Sequence, residues 1–205
     1  PPIHPDGNVI RHQRIVRGDQ TIVGPVIVEG EYELGMQDQA FLGLEAALAV
    51  PDPGNAGVEL HIATQWLHED RKQIAACLGM QPEQVRLVLG GVGGAFGARE
   101  DISLQVHTCL LALRTGRPVR MAYSRHESFL GHVHRHPCRI WMRHHADHDG
   151  RIRRIEARML FDGGAYASTS SAVLINGITH VQGPYRCENA TVDGWAVRTN
   201  NLPCG

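Results

Sequence analysis

The stretch Gly90–Glu100, GGVGGAFGARE, constrains this chain more than any other. It carries five glycines, with one phenylalanine, one arginine and one glutamate among them. Glycine has no Cβ and tolerates positive φ, so backbone here can come close to another group. VRLVL before it reads as a strand, and ISLQVHTCLLAL after it reads as a buried helix over Ile102–Leu113. The glycines therefore occupy a strand-to-helix turn, where free N–H groups can hold an anion or an oxo group. No GxGxxG and no GxxxxGKS or GxxxxGKT can be laid over these residues, so the common phosphate fingerprints are absent. A tight turn that binds nothing stays open at this point.

The function classes that composition excludes are few but clear. A net charge of −1 gives no basic footprint for nucleic acid. No apolar run approaches the roughly 18 residues of a membrane helix. The five cysteines, Cys77, Cys109, Cys138, Cys187 and Cys204, form no CxxC, and their number is odd. They make neither a disulfide framework nor an iron–sulfur or zinc spacing, and a reducing cytoplasmic setting is expected. The chain opens PPIHPDGN without a methionine and closes NNLPCG, so both ends read as cut from something longer.

Along the chain, residues 1–20 read as a polar, irregular connecting arm. Strands are expected over Thr21–Leu34, Val58–Thr64, Val85–Leu89, Val119–Tyr123, Cys138–Ala146, Ile152–Phe161 and Thr191–Arg198. Gln37–Ala49 is ambiguous. Leu67, Ile74, Ala75 and Leu78 share a helical face, with Gly79 suited to end it. Asp149-Gly150 signals a hairpin, and Ser168–Ser171 reads as a polar loop. Helices and paired strands mix without regular βαβ alternation, so the class is α+β, with mixed sheets and packed helices.

Individual residues are ambiguous alone. His132, His134 and His136 alternate in GHVHRHP, and i, i+2 residues of a strand share a face. No carboxylate or cysteine completes a site nearby apart from Asp147 and Asp149, so they are read as surface or edge-strand histidines and no metal ligand is assigned. Glu100 has a bland reading, an acid near a helix start, and a sharp one, a carboxyl beside the loop sharing a proton with substrate. Gln37 and Gln39 read as surface positions, although the neutral NH₂ of Gln37 suits an oxo or carbonyl oxygen. Asp162 is expected in a turn and the Tyr166 ring in the core.

Together these segments resemble a known family. GGAFGARE resembles the GGGFGGKE segment of the molybdenum-cofactor subunit of xanthine dehydrogenases and aldehyde oxidases. GMQDQAFL is similar to that family's GGQEHFYL, ATQW to its STQN, and TGRPVR and RHP recur. FDGGAYAS and RTNNLPCG are similar to its DxGAY and TNxxP segments, and the order is kept from about Gly24 to the last residue. The departures are Ala95 and Ala98 for glycines, Arg99 for lysine, and Gln39 and Gly43 for histidine and glutamate.

The resemblance implies a molybdenum hydroxylase that inserts oxygen from water into purines. It implies that Gln37 hydrogen-bonds a molybdenum oxo ligand, that Phe96 and Gly97 form the loop approaching the metal, and that Glu100 contacts the substrate. Relatives specialised for aldehydes or carbon monoxide usually lack that acid, so Glu100 tilts the reading toward purines. The resemblance further implies a molybdopterin cofactor here, with 2Fe-2S clusters and FAD on other domains or subunits. Residues 21–205 would be the N-terminal part of the molybdopterin-binding region, with room for two sub-lobes, and inactive alone. The competing expectations are an aldehyde or other N-heterocycle hydroxylase, and a non-catalytic paralogue serving as a binding module.

Overall fold

A computed structural model describes residues 2–205. The first half runs β1 (Val9–Arg17), β2 (Val26–Leu34), β3 (Ala46–Asp52), β4 (Gly57–Ile62), α1 (Leu67–Leu78), β5 (Val85–Leu89) and α2 (Gln105–Thr115). The second runs β6 (Val119–Ala122), α3 (Arg125–Gly131), β7 (Cys138–Ala146), β8 (Ile152–Asp162), α4 (Ser170–His180) and β9 (Ala190–Val197). The class is α+β with two mixed sheets, and the chain divides into two compact units. One holds residues 2–37 and 134–205, the other Asp38–Val133.

The first unit is a five-stranded sheet in the order β1-β9-β8-β7-β2. Only β8 and β9 pair in parallel, and α4 makes the crossover that a parallel pair requires. Its core joins Ala157, Met159 and Phe161 of β8 to Leu174 and Ile178 of α4 and Val192 and Ala196 of β9. β7 and β8 form the expected hairpin, and Gly150 takes φ +85° in its turn.

Three expectations fail here. Residues 9–17 are strand β1, not irregular arm, because Ile10 and Ile15 pack on the core beside β9. Ser170 opens α4 rather than ending a loop. Tyr166 is 67% exposed, not a core ring, since the turn at Gly164 carries it outward.

Asp162 holds that turn in place. Its Oδ1 accepts from the Gly164 N–H at 2.9 Å and the Thr199 hydroxyl at 2.6 Å, and its Oδ2 from the Asn201 amide at 2.5 Å. Gly164 has φ +72°, and a Cβ there would run into the backbone carbonyl of Leu202. Gly164→Ala is therefore expected to cost about 2 kcal/mol, from left-handed strain plus a clash with backbone that cannot rotate away. Gly150→Ala has comparable φ but open space around the Cβ, and should cost about 1 kcal/mol. Urea unfolding midpoints of the two variants separate the clash from the strain.

The second unit is a four-stranded sheet, β5-β4-β3-β6, again with one parallel pair, β4 and β5, joined through α1. Ala47, Ala49, Val58, Leu60, Ile62 and Val85 of the sheet pack on Ile74 and Ala75 of α1 and Cys109 and Ala112 of α2. Gly79 ends α1 in the left-handed conformation at φ 67°, as its sequence suggested. Among the described residues no helix is long and apolar enough to cross a membrane.

Candidate functional site

The glycine stretch leaves β5 and runs as irregular chain and turns until α2 begins at Gln105. The expected helix start at Ile102 is therefore three residues early. Ser103 gives its N–H to the Gln105 side chain at 2.6 Å, which holds the entry to the helix open. Glu100 consequently lies outside the first turn of α2, where the favourable effect of the dipole on an acid is concentrated. The bland reading of this acid as first-turn electrostatics loses its basis.

Positive φ falls on Gly94 (98°), Phe96 (55°) and Gly97 (96°). Ala95 and Ala98 are not among the left-handed residues, and both side chains are buried. Their departure from the family's glycines thus costs the loop nothing in backbone strain. Phe96 is the exception. A phenylalanine in the left-handed region carries a cost of order 1 kcal/mol or more, and its ring is 77% exposed. The chain spends strain to present an aromatic side chain to the outside.

Gly43 donates its N–H to the Gly93 carbonyl at 3.0 Å. A Cβ on Gly43 would lie 3.1 Å from the Gly93 Cα, and one on Gly93 would lie 3.0 Å from the Gly43 Cα. This close approach makes a side chain at 43 tighter than ordinary contact, which favours glycine where the resembled pattern has glutamate.

Arg99 is almost fully buried. Its Nε donates to the Gly94 carbonyl at 3.1 Å, its Nη1 to the Ala63 carbonyl at 3.3 Å, and its Nη2 to the Gly43 carbonyl. The guanidinium also lies 4.5 Å over the Phe41 ring. Burial pulls its pKa down, and the Glu45 carboxylate opposes that pull. Gln65 Oε1 accepts from the N–H groups of Gly97 at 3.2 Å and Arg99 at 3.3 Å. The Gly97 carbonyl accepts from the Glu100 N–H at 3.2 Å. Both backbone polar groups of Gly97 are thus engaged, its N–H by Gln65 and its carbonyl within the loop, and its contribution to close approach is the missing Cβ.

Glu100 is half-buried, and burial, then the neighbouring Asp101 carboxylate, raises its carboxyl above the usual carboxylate range. A raised acid at a loop of this kind is a group able to share a proton. Phe96, Gly97 and Glu100 thus lie on one loop of the second unit. Gln37 belongs to the first unit, bridged to Arg135. The Arg135 N–H donates to the Gln37 carbonyl at 3.0 Å, and Arg135 Nη1 donates to Gln37 Oε1 at 3.2 Å. With the amide oxygen occupied, the exposed NH₂ is the end left to donate.

The histidine expectation is corrected. His132, His134 and His136 are all buried, not surface or edge-strand positions. His132 lies in the second unit, with Nε2 3.0 Å from Asp38 Oδ2 and Nδ1 2.9 Å from Glu45 Oε1. His136, in the first unit, bonds the Ser170 hydroxyl at 2.8 Å, and burial pushes it down to about 4 against the pull of Asp162. The partner carboxylates of His132 are far away in sequence, which is why spacing alone missed them. The sequence reading also missed Gln65 and singled out Arg99 only as a departure. ATQW offered a polar residue between β4 and α1, but nothing local showed that it reaches the loop.

Each unit by itself carries groups suited to a polar cofactor. In the first, Gln37 presents an oriented amide donor. In the second, the loop bears bare backbone, and Gln39 has both amide atoms shielded without a partner among the described residues. Each such orphaned atom costs about 1–3 kcal/mol, which a bound group with complementary donors and acceptors would remove.

Residues 3–205 match the family described as molybdopterin cofactor-binding domain. The chain is 34% identical to a probable xanthine dehydrogenase subunit of Bacillus subtilis, over 99% of this chain and 28% of that protein. It is also 34% identical to the nicotinate dehydrogenase large molybdopterin subunit of Eubacterium barkeri, over 100% of this chain and 49% of that one. The aldehyde oxidoreductase structure from Desulfovibrio gigas superposes with a TM-score of 0.89 at 26% identity, covering 98% of this chain and 23% of that one. Quinoline 2-oxidoreductase from Pseudomonas putida 86 does so at 0.85 and 28%, covering 97% and 26%. The chain thus spans between about a quarter and a half of the length of these proteins. It belongs to the molybdopterin cofactor-binding domain family, that of the xanthine dehydrogenases and aldehyde oxidoreductases.

Proposed function

We propose that this chain forms part of the molybdenum centre of a xanthine dehydrogenase-like oxidoreductase that hydroxylates purines with water as the oxygen source. The observation that carries the reading is Glu100, a half-buried carboxyl with a raised pKa beside the loop of Phe96 and Gly97. The cofactor, when bound, supplies the oxygen transfer and takes up the two electrons released as C–H becomes C–OH. Gln37 would offer its NH₂ to an oxo oxygen of the cofactor, and Phe96 and Gly97 would supply an aromatic ring and bare backbone. Glu100 shares its proton with a substrate ring nitrogen and stabilises charge developing there. The 2Fe-2S clusters and FAD that would carry the electrons onward belong, on this reading, to other domains or subunits.

Residues 21–205 are taken as the N-terminal part of the molybdopterin-binding region, cytoplasmic, and inactive without the rest. The names of the relatives, nicotinate dehydrogenase and quinoline 2-oxidoreductase among them, favour another N-heterocycle as the second reading. The deciding experiment is anaerobic reduction of the full-length, cofactor-loaded enzyme by xanthine or hypoxanthine, set against nicotinate and an aromatic aldehyde. Reduction by purine supports the reading. Reduction by nicotinate or aldehyde alone moves the protein to another branch.

A further inference from the structure

The loop that carries Phe96, Gly97 and Glu100 has no regular secondary structure of its own, yet it holds a phenylalanine in a left-handed conformation. Something outside it must oppose that strain. Two side chains meet it from different directions. Gln65, at the entry to α1, places one oxygen against two donors, the N–H groups of Gly97 and Arg99. The Gln65 N–H donates in turn to the Arg99 carbonyl at 3.0 Å, and the Thr64 hydroxyl reaches the same carbonyl at 3.3 Å. From inside, the Arg99 guanidinium ties the carbonyls of Gly94, Ala63 and Gly43 together. The acceptors lie around a planar fork, which one ammonium group cannot reproduce.

We propose that Gln65 and Arg99 are the positioning residues of the Phe96–Glu100 loop, Gln65 as a two-fold acceptor and Arg99 as a three-way donor. Its consequence for turnover rests on the proposed molybdenum hydroxylase, in which this loop orients Glu100. Both side chains act by fixing where Gly97 and Glu100 lie.

Two near-isosteric variants test the acceptor in the full-length, molybdenum-loaded enzyme. Gln65→Glu keeps an oxygen in place, whereas Gln65→Met keeps the length and removes it. Gln65 is exposed, so both are expected to fold. Gln65→Met should speed hydrogen exchange at the Gly97 and Arg99 amides about ten-fold, the equivalent of one lost hydrogen bond. It should lower kcat by a similar factor, about ten-fold, while KM and molybdenum content change less than about two-fold, because only the orientation of Glu100 is loosened. Gln65→Glu should stay within about three-fold of wild type on both readouts, since its oxygen can still accept.

Exchange unchanged in Gln65→Met, or raised equally in Gln65→Glu, would overturn the acceptor role. Arg99→Lys keeps the charge and loses the fork, so exchange across Gly94–Arg99 should rise without loss of molybdenum. If it does not, Arg99 is not a positioning residue. Should the wild-type enzyme reduce with none of the proposed substrates, the functional reading fails while the exchange measurements still decide the brace.

Discussion

Replacing His132 with leucine is expected to destabilise the protein by about 3–5 kcal/mol, because it strands buried charge. The imidazole is 1% exposed and meets a carboxylate oxygen at each nitrogen, Asp38 on one side and Glu45 on the other. Burial alone would push the Glu45 carboxyl up. The His132 imidazole beside it is the main opposing contact, and the carboxyl ends below the usual carboxylate range. Leucine fills much of the space but offers no ring nitrogen to either acid.

The pH dependence should then change sign. In the wild type Glu45 is depressed on folding, so its contribution is present above the usual carboxylate pKa and lost as pH falls through the folded value. In His132→Leu burial wins, the folded carboxyl titrates above its unfolded value, and stability falls as pH rises through that range. Thermal melts from pH 4 to 8 check this, with a drop of roughly 10 °C expected at neutral pH for a chain of this size. Adding Glu45→Gln should recover part of the loss, since it removes the stranded charge. A melting curve for His132→Leu that keeps the wild-type slope with pH would show that the ring contributes packing rather than charge matching.

The same cluster shows what a sequence can and cannot announce. α1 was legible because its apolar face and Gly79 are local signals, and the β7–β8 hairpin because Asp149-Gly150 fixes a turn by its own backbone preference. α4 was hidden. Its start lies in a run of serines and threonine, and the helix contains a glycine, Gly177. That glycine is needed where the Phe161 ring presses against the helix, close enough to leave no space for a Cβ. β1 was hidden because its alternation is faint until β9 and α4 give Ile10 and Ile15 something to pack on.

For the candidate site, Phe96, Gly97 and Glu100 stand together in one short string, so their grouping needed no fold. Gln65 reaches them across β5 and α1, and the carboxylates of His132 reach it across most of the second unit. Periodicity reports which face a residue shares with its neighbours along the chain. It carries no information on partners that only the fold supplies.

Glu100→Gln is expected to cut kcat/KM for a purine by about 100-fold or more, the usual worth of a positioned acid–base group. Glutamine can still donate a hydrogen bond, but it cannot pass a proton to a ring nitrogen as charge builds there. Turnover of an aromatic aldehyde, which offers no such nitrogen, should change far less, and the ratio between the two substrates is the measurement. Stability should move the other way. Burial and Asp101 both disfavour the ionised form of Glu100 in the fold, so above its raised pKa the wild-type carboxylate weakens the native state and the neutral amide removes that penalty. A melting temperature equal to or above wild type, together with lost purine turnover, is the pattern of a residue kept for chemistry at a cost in stability. An equal loss on purine and aldehyde would instead mean that the substitution had disturbed the loop, and the proton-sharing role of Glu100 would fall. The amide exchange of Gly97, read on the same variant, separates the two cases, because a loop still held by Gln65 protects that hydrogen whatever stands at position 100.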